Sequence, residues 1–394
     1  MTDESLDDLI VAAVGDERDP YPAFAEARRS GGVHHEEGFA GGFIYQVYSY
    51  AAVDEVLRHP EVYSSRAYAD AIGLVLGPSI LQMDGTEHVR HRALIGGSFR
   101  RSAVEARIAP LIEPTVQSLI DGFIERGRAD LVRDLTIHFP IQIIAELLGI
   151  PRDDYQWFLR ESITLIGIAN DVERGIRASG ELGAYFGKIV AERRVEPRDD
   201  LISMLARAEI DGGPVPDEEI LGFLRLLLPA GAETTYRLLG NLLFALLHAP
   251  DQLDAVRADR TLLPRAIEEA LRWESPVQFI SREPVRDVVL SGVEIPAGAH
   301  VSLALGSANR DETVFVEPDR YDLFAERAPH LAFADGPHRC LGEHLARAEV
   351  ITAMNAVLDR LHDLRLDPDA PETAIQGLSF RSPNALPVAF RPAA

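Results

Sequence analysis

Cysteine is nearly absent from this sequence, which has a single one, Cys340, in 394 residues. One cysteine excludes a disulfide within the chain, so no pairing pattern marks an oxidising compartment. Long apolar runs are also missing, since none approaches the ~20 residues that a membrane span needs. The first ten residues, MTDESLDDLI, lack the basic and apolar regions of a secretory signal. These absences predict a soluble, cytoplasmic protein without a membrane anchor.

Basic residues are scarce relative to acidic ones: 39 Lys and Arg stand against 62 Asp and Glu, which gives a net charge of −23. An acidic chain of this kind is unsuited to general binding of nucleic acid or anionic membranes. Low-complexity tracts, Ser/Gly linkers and repeats are absent as well. We therefore expect residues 1–394 to form one domain and a monomer, with residues 1–18 as a flexible tail.

The apolar residues recur mostly at helical spacing. Segments 107–127, 141–150 and 221–247 read as helices. Strand patterns are few: one at 41–50, and a pair of short strands around an IPAG turn within 288–305. The sequence predicts a mainly α protein, with a large helical domain and a small β region.

The only cysteine lies in FADGPHRCLG (333–342). Gly336 and Pro337 force a turn there, and an apolar helical pattern begins at Leu341. Cys340 is thus expected just before a helix N-terminus, where the helix dipole favours a thiolate. A thiolate on a rigid loop is a soft metal ligand.

Four interpretations of Cys340 remain open from these residues alone. A buried cysteine can act as a small apolar side chain. A zinc site could use His338, Cys340 and His344, although the paired ligand spacing typical of zinc is missing. A cysteine-protease nucleophile would need a histidine partner, and no histidine stands out. A thiolate as sole protein ligand to haem iron fits best, because that role needs one residue.

The cysteine segment resembles the haem-binding loop of the cytochrome P450 superfamily, F-G-x-G-x-H-x-C-x-G. Ala334 replaces the first glycine of that pattern, and the matching residues are Phe333, Gly336, His338, Cys340 and Gly342. The resemblance runs from about Asp19 to the C-terminus. It implies a cytochrome P450 fold that carries haem b, with Cys340 as the iron ligand and with Phe333, His338 and Gly342 beside the cofactor.

A long apolar helical run, FLRLLLPAGAETTYRLLGNLLFALL (223–247), is interrupted by Pro229 and Gly231. Structurally, this reads as a kinked core helix with a threonine bonded to its own backbone. Functionally, an opened turn makes a pocket for a small ligand. AGAETT resembles the family signature A-G-x-[DE]-T-[TS], which implies that Ala230 contacts haem, Thr234 hydrogen-bonds dioxygen and Glu233 helps deliver protons for O–O cleavage. The intact acid–alcohol pair implies dioxygen activation rather than a peroxide-driven reaction.

Two further groups of residues follow from the resemblance. Glu269 and Arg272, at i,i+3, would by themselves be an exposed ion pair worth about 0–1 kcal/mol. Their position before the cysteine loop resembles the family's E-x-x-R pair, which implies a structural network with Arg327. Haem propionates need cationic or hydrogen-bonding partners, and the residues at the matching positions are His88, Arg92, Arg282 and His338.

The implied activity is NAD(P)H-dependent monooxygenation, in which one atom of O₂ enters a C–H or C=C bond and the other leaves as water. The chain has no room for a flavin or iron–sulfur domain, so the resemblance implies electrons from a separate ferredoxin and ferredoxin reductase. We expect a basic docking patch for that partner on an otherwise acidic surface. The patch would consist of Arg92, Arg100, Arg101, Arg339 and Arg347.

The segments at the family's substrate-lining positions are largely apolar: 65–81, 160–185, 227–230, 276–280 and 376–380. They predict a hydrophobic small molecule such as a terpenoid, a steroid, a fatty acid or a secondary-metabolite precursor. Arg66 and Arg381 are either solvated or anchors for a carboxylate. Two other functions stay open: a redox-neutral haem-thiolate isomerase or dehydratase, and a haem-based sensor, which would have no need for proton delivery.

Overall fold

Helices make up most of the protein, as the apolar periodicity predicts. The structure is a computed structural model that describes residues 19–38, 42–69, 72–167 and 171–392, so the tail predicted for residues 1–18 lies outside the described residues. In chain order the helices are α1 (Tyr21–Arg29), α2 (Tyr50–Arg58), α3 (Ile72–Leu76), α4 (Gly85–Gly96), α5 (Arg101–Ala103), α6 (Ala109–Asp121), α7 (His138–Leu148), α8 (Tyr155–Ile166), α9 (Val172–Val195), α10 (Leu201–Ala206), α11 (Asp217–Leu227), α12 (Thr234–Leu247), α13 (Pro250–Ala258), α14 (Leu263–Trp273), α15 (Leu305–Ala308) and α16 (Glu343–Arg360).

The strands are short and lie in small sheets. They are β1 (Val33–Glu37), β2 (Phe43–Val47), β3 (Tyr63–Ser64), β4 (Arg128–Asp130), β5 (Glu209–Ile210), β6 (Gly213–Pro214), β7 (Phe279–Pro284), β8 (Val288–Leu290), β9 (Val293–Ile295), β10 (Val301–Ala304), β11 (Leu361–Leu366), β12 (Ile375–Gln376), β13 (Ser382–Pro383) and β14 (Pro387–Pro392). The main sheet has the order β1-β2-β10-β7-β3, and a second sheet has the order β11-β14-β4.

The segment 288–305 differs from its predicted arrangement of two strands around the IPAG turn. It forms three strands, and β8 pairs with β9 through a turn at Ser291 and Gly292, where both residues have positive φ. The IPAG stretch instead leads from β9 to β10, which joins the main sheet between β2 and β7. Gly292 adopts the left-handed conformation of a tight hairpin without steric cost, and this decides the position of the turn.

The long apolar run is interrupted where the sequence predicts. α11 ends at Leu227, a wider turn of π type spans Leu228–Glu233, and α12 continues from Thr234. Pro229 has no N–H to donate to the carbonyl of Arg225, and that carbonyl accepts from the N–H of Leu228 instead. The turn therefore widens, as such bulges do at functional sites.

Two of the three hydrophobic clusters found among the described residues support this arrangement. The larger one is built by the helices and includes α7, α11, α12 and α16, with buried residues such as Leu239, Leu242 and Val350. The smaller one lies between α2 and the main sheet, around Val53 and Leu303. α16 packs against α12 and α14, so the helix that follows the cysteine is fixed directly against the interrupted central helix. α16 ends at Arg360, because Leu361 begins β11.

Across the described ranges, every helix is too short or too polar to cross a lipid bilayer.

Candidate active site

The cysteine loop keeps its tight turn although alanine replaces a glycine of the family pattern. Ala334 has φ +55° and Gly336 has φ +71°, and both values lie in the left-handed region. For alanine this conformation costs about 1–2 kcal/mol. The N–H of Cys340 donates to the carbonyl of Phe333 at 2.9 Å and closes the loop. The turn therefore forms with alanine at position 334, where the family pattern has glycine.

Cys340 is half-buried at the edge of the larger core, and Gly342 is the N-terminal cap of α16. Burial raises the pKa of the Cys340 thiol, and the N–H of Gly342 together with the charges of Arg92 and Arg347 opposes that increase. Burial therefore acts against the thiolate that the helix terminus and the two arginines favour. Because a coordinated metal ion deprotonates a thiol, binding and ionisation are coupled at this residue.

Four cationic or imidazole side chains surround the loop, and they are the four predicted to face the propionates. The rings of His88 and His338 stack with centroids 4.0 Å apart. Arg92 donates from Nη2 to the carbonyl of Arg339 at 2.6 Å. Arg282 is buried on β7, close enough for its charge to act on His88. The structure therefore brings residues from α4, β7 and the cysteine loop together.

His88 is, with Arg282, one of the two buried members of this cluster. Desolvation, followed by the charges of His338 and Arg92, lowers the pKa of His88 to about 4. Among the described residues its Nε2 atom has no hydrogen-bond partner. The neighbouring Arg90 and His91 lie outside the cluster, since they pair with Asp211 and Glu219.

These features fit a haem group. Ala230 is exposed and Thr234 is half-exposed, although α12 is otherwise almost entirely buried in the larger core. One strip of the central helix is therefore accessible to solvent. A soft sulfur donor and a cationic cluster with an unpaired imidazole nitrogen suit an anionic porphyrin. No atom lies within 4 Å of the position that a Cβ would take at Gly342, so a flat group can approach the backbone there. In the described ranges no three His, Cys, Asp or Glu side chains converge on a metal site.

Glu233 is buried beside this strip and is bound by an arginine that the sequence analysis missed. Nε and Nη2 of Arg237 donate to Oε1 of Glu233 at 3.1 and 2.8 Å. Burial raises the pKa of Glu233 to about 7, although the charge of Arg237 opposes it. The i,i+4 spacing of an acid and a base within an apolar helix was the signal that could have revealed the pair.

A second buried carboxyl, Glu349 on α16, was also missed, although it is a charged residue among the buried Leu345, Ala346, Val350 and Ala353. Neither of its oxygens finds a donor in the described part of the chain. The adjacent hydroxyl of Thr235 donates to the carbonyl of Gly231 at 2.8 Å and so can only accept from Glu349. Burial raises the pKa of Glu349 well above its usual range, and the protonated form supplies the missing donor.

We expect Glu349→Gln to stabilise the protein increasingly as pH rises. The native state holds a proton on Glu349 that the unfolded chain releases above its ordinary pKa, so the wild type loses roughly 1.4 kcal/mol of unfolding free energy per pH unit from this group. The loss begins near the unfolded pKa and stops at the raised folded pKa, and glutamine avoids it. Chemical unfolding from pH 5 to 8 measures the difference. Asp359→Asn, at the exposed end of α16, is the control, and parallel pH profiles for both variants would contradict the assignment.

The predicted structural network is also assembled. Nε and Nη2 of Arg272 bind the two oxygens of Glu269 at 2.8 Å each, and Nη2 of Arg327 reaches Oε1 of Glu269 at 3.2 Å. Arg272 further donates to the backbone carbonyls of Asn309, Pro318 and Arg320. Arg272 and Glu269 are almost fully buried, so the exposed-pair interpretation is wrong. The network connects α14 to the chain that precedes the cysteine loop.

Three expectations about other arginines need correction. Arg381 is neither solvated nor available as a substrate anchor, because it is buried and its Nε pairs with Oε1 of Glu274 at 2.7 Å. In the predicted docking patch, Arg339 pairs with Glu343, and Arg347 pairs with Glu268 and Glu343. Their charges are thus largely compensated. Arg100 and Arg101 are exposed, and neither forms an ion pair within the described residues.

Comparison with known proteins agrees with this geometry. The Cytochrome P450 family model matches residues 141–385. The chain is 36% identical over 391 residues to cytochrome P450 monooxygenase PikC of Streptomyces venezuelae, covering 95% of this chain and 91% of that protein. It is 37% identical over 354 residues to steroid C26-monooxygenase of Mycolicibacterium smegmatis, covering 88% and 87%. The crystal structure of CYP109E1 from Bacillus megaterium in complex with testosterone matches with a TM-score of 0.84 at 32% identity, covering 94% of this chain and 99% of that one. The chain therefore belongs to the cytochrome P450 family of haem-thiolate monooxygenases.

Proposed function

We propose that this monooxygenase binds haem b through Cys340 and inserts one oxygen atom of O₂ into a hydrophobic small molecule at the opened turn of the central helix. The observation that carries the proposal is the exposure of Ala230 and Thr234 within a helix that is otherwise buried. When bound, the haem supplies the activation of dioxygen. The protein supplies the sulfur ligand, the propionate partners, an apolar site and the protons.

Each residue has a separate task in this proposal. His88, Arg92, Arg282 and His338 hold the propionates through charge and hydrogen bonds. Thr234 is half-exposed, and its Oγ1 donates to the carbonyl of Ala230 at 2.8 Å. Burial raises the pKa of Glu233 to about 7, which suits a group that gives and regains a proton within one turnover.

Thr234→Val and Thr235→Val form a matched pair that tests the role of Thr234. Each hydroxyl donates to the carbonyl four residues earlier at 2.8 Å, but Thr234 is half-exposed and Thr235 is buried. We expect Thr234→Val to lower the product formed per NAD(P)H consumed several-fold and to raise peroxide release, because the hydroxyl at the exposed strip is lost. Thr235→Val should keep the wild-type ratio and change stability alone.

Glu233→Gln should reduce product formation by about 100-fold, the low end of what a positioned proton donor contributes. Equal effects of the two threonine substitutions, or a Glu233→Gln variant with the wild-type turnover, would assign proton delivery to other groups. The carbon monoxide spectrum of each reduced variant confirms that haem is bound in the same way.

The apolar residues of the central helix and the names of the relatives both favour a hydrophobic substrate. Leu226, Leu227 and Leu228 are apolar and precede the exposed strip directly. One relative is named a steroid C26-monooxygenase, and one matching structure contains testosterone. We propose a hydrophobic substrate and place steroids first in a panel with fatty acids and terpenoids. Substrate-dependent shifts of the haem absorption, followed by product analysis, identify the class that binds.

Electrons are proposed to come from NAD(P)H through a ferredoxin and its reductase, which dock near Arg100 and Arg101. A groove beside the cysteine loop is lined by Arg92 and Arg100 together with Pro337 and Leu341. Exposed arginines without ion pairs steer an acidic partner most strongly at low salt. Of the five arginines of the predicted patch, Arg100 and Arg101 therefore remain as its main charges.

Reversal of both residues, Arg100→Glu with Arg101→Glu, should slow the first electron transfer by about tenfold or more at low ionic strength, and the difference should shrink as salt is added. The matched control is Arg365→Glu with Arg391→Glu, which changes the net charge equally on β11 and β14. That sheet begins after α16, whose 18 residues span about 27 Å from the cysteine end. Stopped-flow reduction with the cognate ferredoxin measures both rates, and equal slowing of the two variants would remove the docking assignment.

A further inference from the structure

The two oxygens of the Glu233 carboxyl have different surroundings. Two N–H groups of Arg237 donate to Oε1, at 3.1 and 2.8 Å. Oε2 is buried and accepts from no group within the described residues. A buried oxygen without a partner is costly, and a proton or a water molecule on Oε2 removes that cost. The geometry thus makes Oε2 the oxygen at which a proton is held.

Arg237 cannot turn away from Glu233, because its third nitrogen is also engaged. Nη1 donates to Oγ of Ser382 at 3.1 Å, and the guanidinium lies over the rings of Tyr236 and Phe380 at 5.0 and 5.6 Å. The side chain is completely buried. It therefore connects the proton-delivering turn to the C-terminal segment 380–383, which begins at the last residue of the segment 376–380 that is predicted to line the substrate pocket.

Few other charges act on this carboxyl. α7, α8, α11 and α12 pack against the wide turn. Among the described groups on these elements and on the C-terminal segment, Arg237 is the charged group that affects the pKa of Glu233. The phenol of Tyr236 is the titratable group that lies beside both side chains. The protonation of Glu233 is thus decided by burial and by one arginine.

We propose that Arg237 is a positioning residue for proton delivery: it fixes Glu233 through Oε1, so that Oε2 takes a proton from solvent and passes it on towards Thr234. The carboxyl regains from water each proton that it gives, and the electrons of the reaction come from NAD(P)H. The proposal rests on the proposed function and adds a residue that the family signature does not contain. It also makes proton delivery sensitive to the position of Ser382 and Phe380.

The experiment is a pH titration of the Glu233 carboxyl in the haem-loaded enzyme, followed by the infrared band of its protonated form and identified by subtraction of the Glu233→Gln spectrum. In Arg237→Gln the midpoint should rise by roughly one to two pH units, because a nearby cation is lost. The pH profile of product formed per NAD(P)H should shift in the same direction. Arg237→Lys should restore most of the midpoint, since it keeps the charge, but less of the product ratio, since one ammonium cannot fix Oε1 from two directions.

Two further variants separate positioning from general disruption. Ser382→Ala removes the anchor of Arg237 and keeps the ion pair, so the midpoint should move much less than in Arg237→Gln. Glu233→Gln with Arg237→Gln removes the whole pair and tests folding, because a buried pair is replaced more easily than one partner alone. Its product ratio should equal that of Glu233→Gln, since Arg237 acts only through Glu233.

An unchanged midpoint in Arg237→Gln would overturn the proposal, and so would a double variant that is clearly worse than Glu233→Gln. Either result is distinct from failure of the proposed function. If haem were not bound through Cys340, the carbon monoxide spectrum would lack its red-shifted band in every variant, the wild type included.

Discussion

Cys340→Ser should abolish the red-shifted absorption band that the reduced protein shows with carbon monoxide, and monooxygenase activity should fall by more than about 100-fold. Residues that only orient a metal ligand cost 10- to 100-fold when they are replaced, so loss of the ligand itself exceeds that range. Serine fits the half-buried site, keeps the loop hydrogen bond from the backbone N–H to Phe333, and removes only the soft donor. The remaining difference is electronic, because an alcohol gives haem iron far less electron density than a thiolate.

His344→Ala is the control for this substitution. It removes the second histidine of the zinc alternative and leaves the thiol in place, so the red-shifted band and the activity should both persist. Because the chain has one cysteine, every thiol-specific reagent or spectroscopic signal also reports on this position alone. A Cys340→Ser protein that keeps the band would exclude this cysteine as the iron ligand, and a dependence of the band on His344 would favour a different metal site.

Arg272→Leu should lower the free energy of unfolding by about 3–5 kcal/mol, because it leaves the carboxylate of Glu269 buried without its main partner. Three backbone carbonyls, those of Asn309, Pro318 and Arg320, lose a donor at the same time. For a chain of this length the melting temperature should fall by roughly 5 °C. Weaker haem retention should accompany the loss, since the network precedes the cysteine loop.

The matched control is Arg29→Leu. Glu26 and Arg29 have the same order and the same i,i+3 spacing as Glu269 and Arg272, but their side chains are 72% and 60% exposed. This pair should contribute about 0–1 kcal/mol, because solvent screens both charges. Thermal and denaturant unfolding of both variants measures the contrast. A similar loss in the two proteins would mean that spacing rather than burial decides the strength of such a pair.

The cysteine loop shows how much the sequence determined locally. Glycine and proline set the turn, the apolar pattern placed α16, and one thiol limited the possible metal sites to those with a single protein sulfur. Pro229 likewise dictated an interruption of the central helix, because a missing N–H cannot be compensated within a regular turn. The resemblance of these segments to one family then identified the fold, and the comparisons with known proteins confirmed it.

The partners and the burial of the charged side chains could not be predicted from the sequence. Arg381 looked like a solvated side chain or a substrate anchor and is buried against Glu274, while Arg347, placed in a docking patch, pairs with Glu268 and Glu343. The sequence contains Glu233 and Arg237 four residues apart, but only packing against Ser382 and Phe380 makes them a buried pair. Partners of this kind lie far apart along the chain, and no local pattern encodes their contact.

The sequence by itself determined the elements, the break in the central helix and the position of the sulfur, since these depend on backbone rules and on periodicity within a few residues. The tertiary structure decided which ionisable groups are desolvated and by what they are paired: Glu269 with Arg272, Glu233 with Arg237, and Glu349 with a threonine hydroxyl alone. Burial and partner charges set the energy of each ionised form, and both arise only when distant segments of the chain come together.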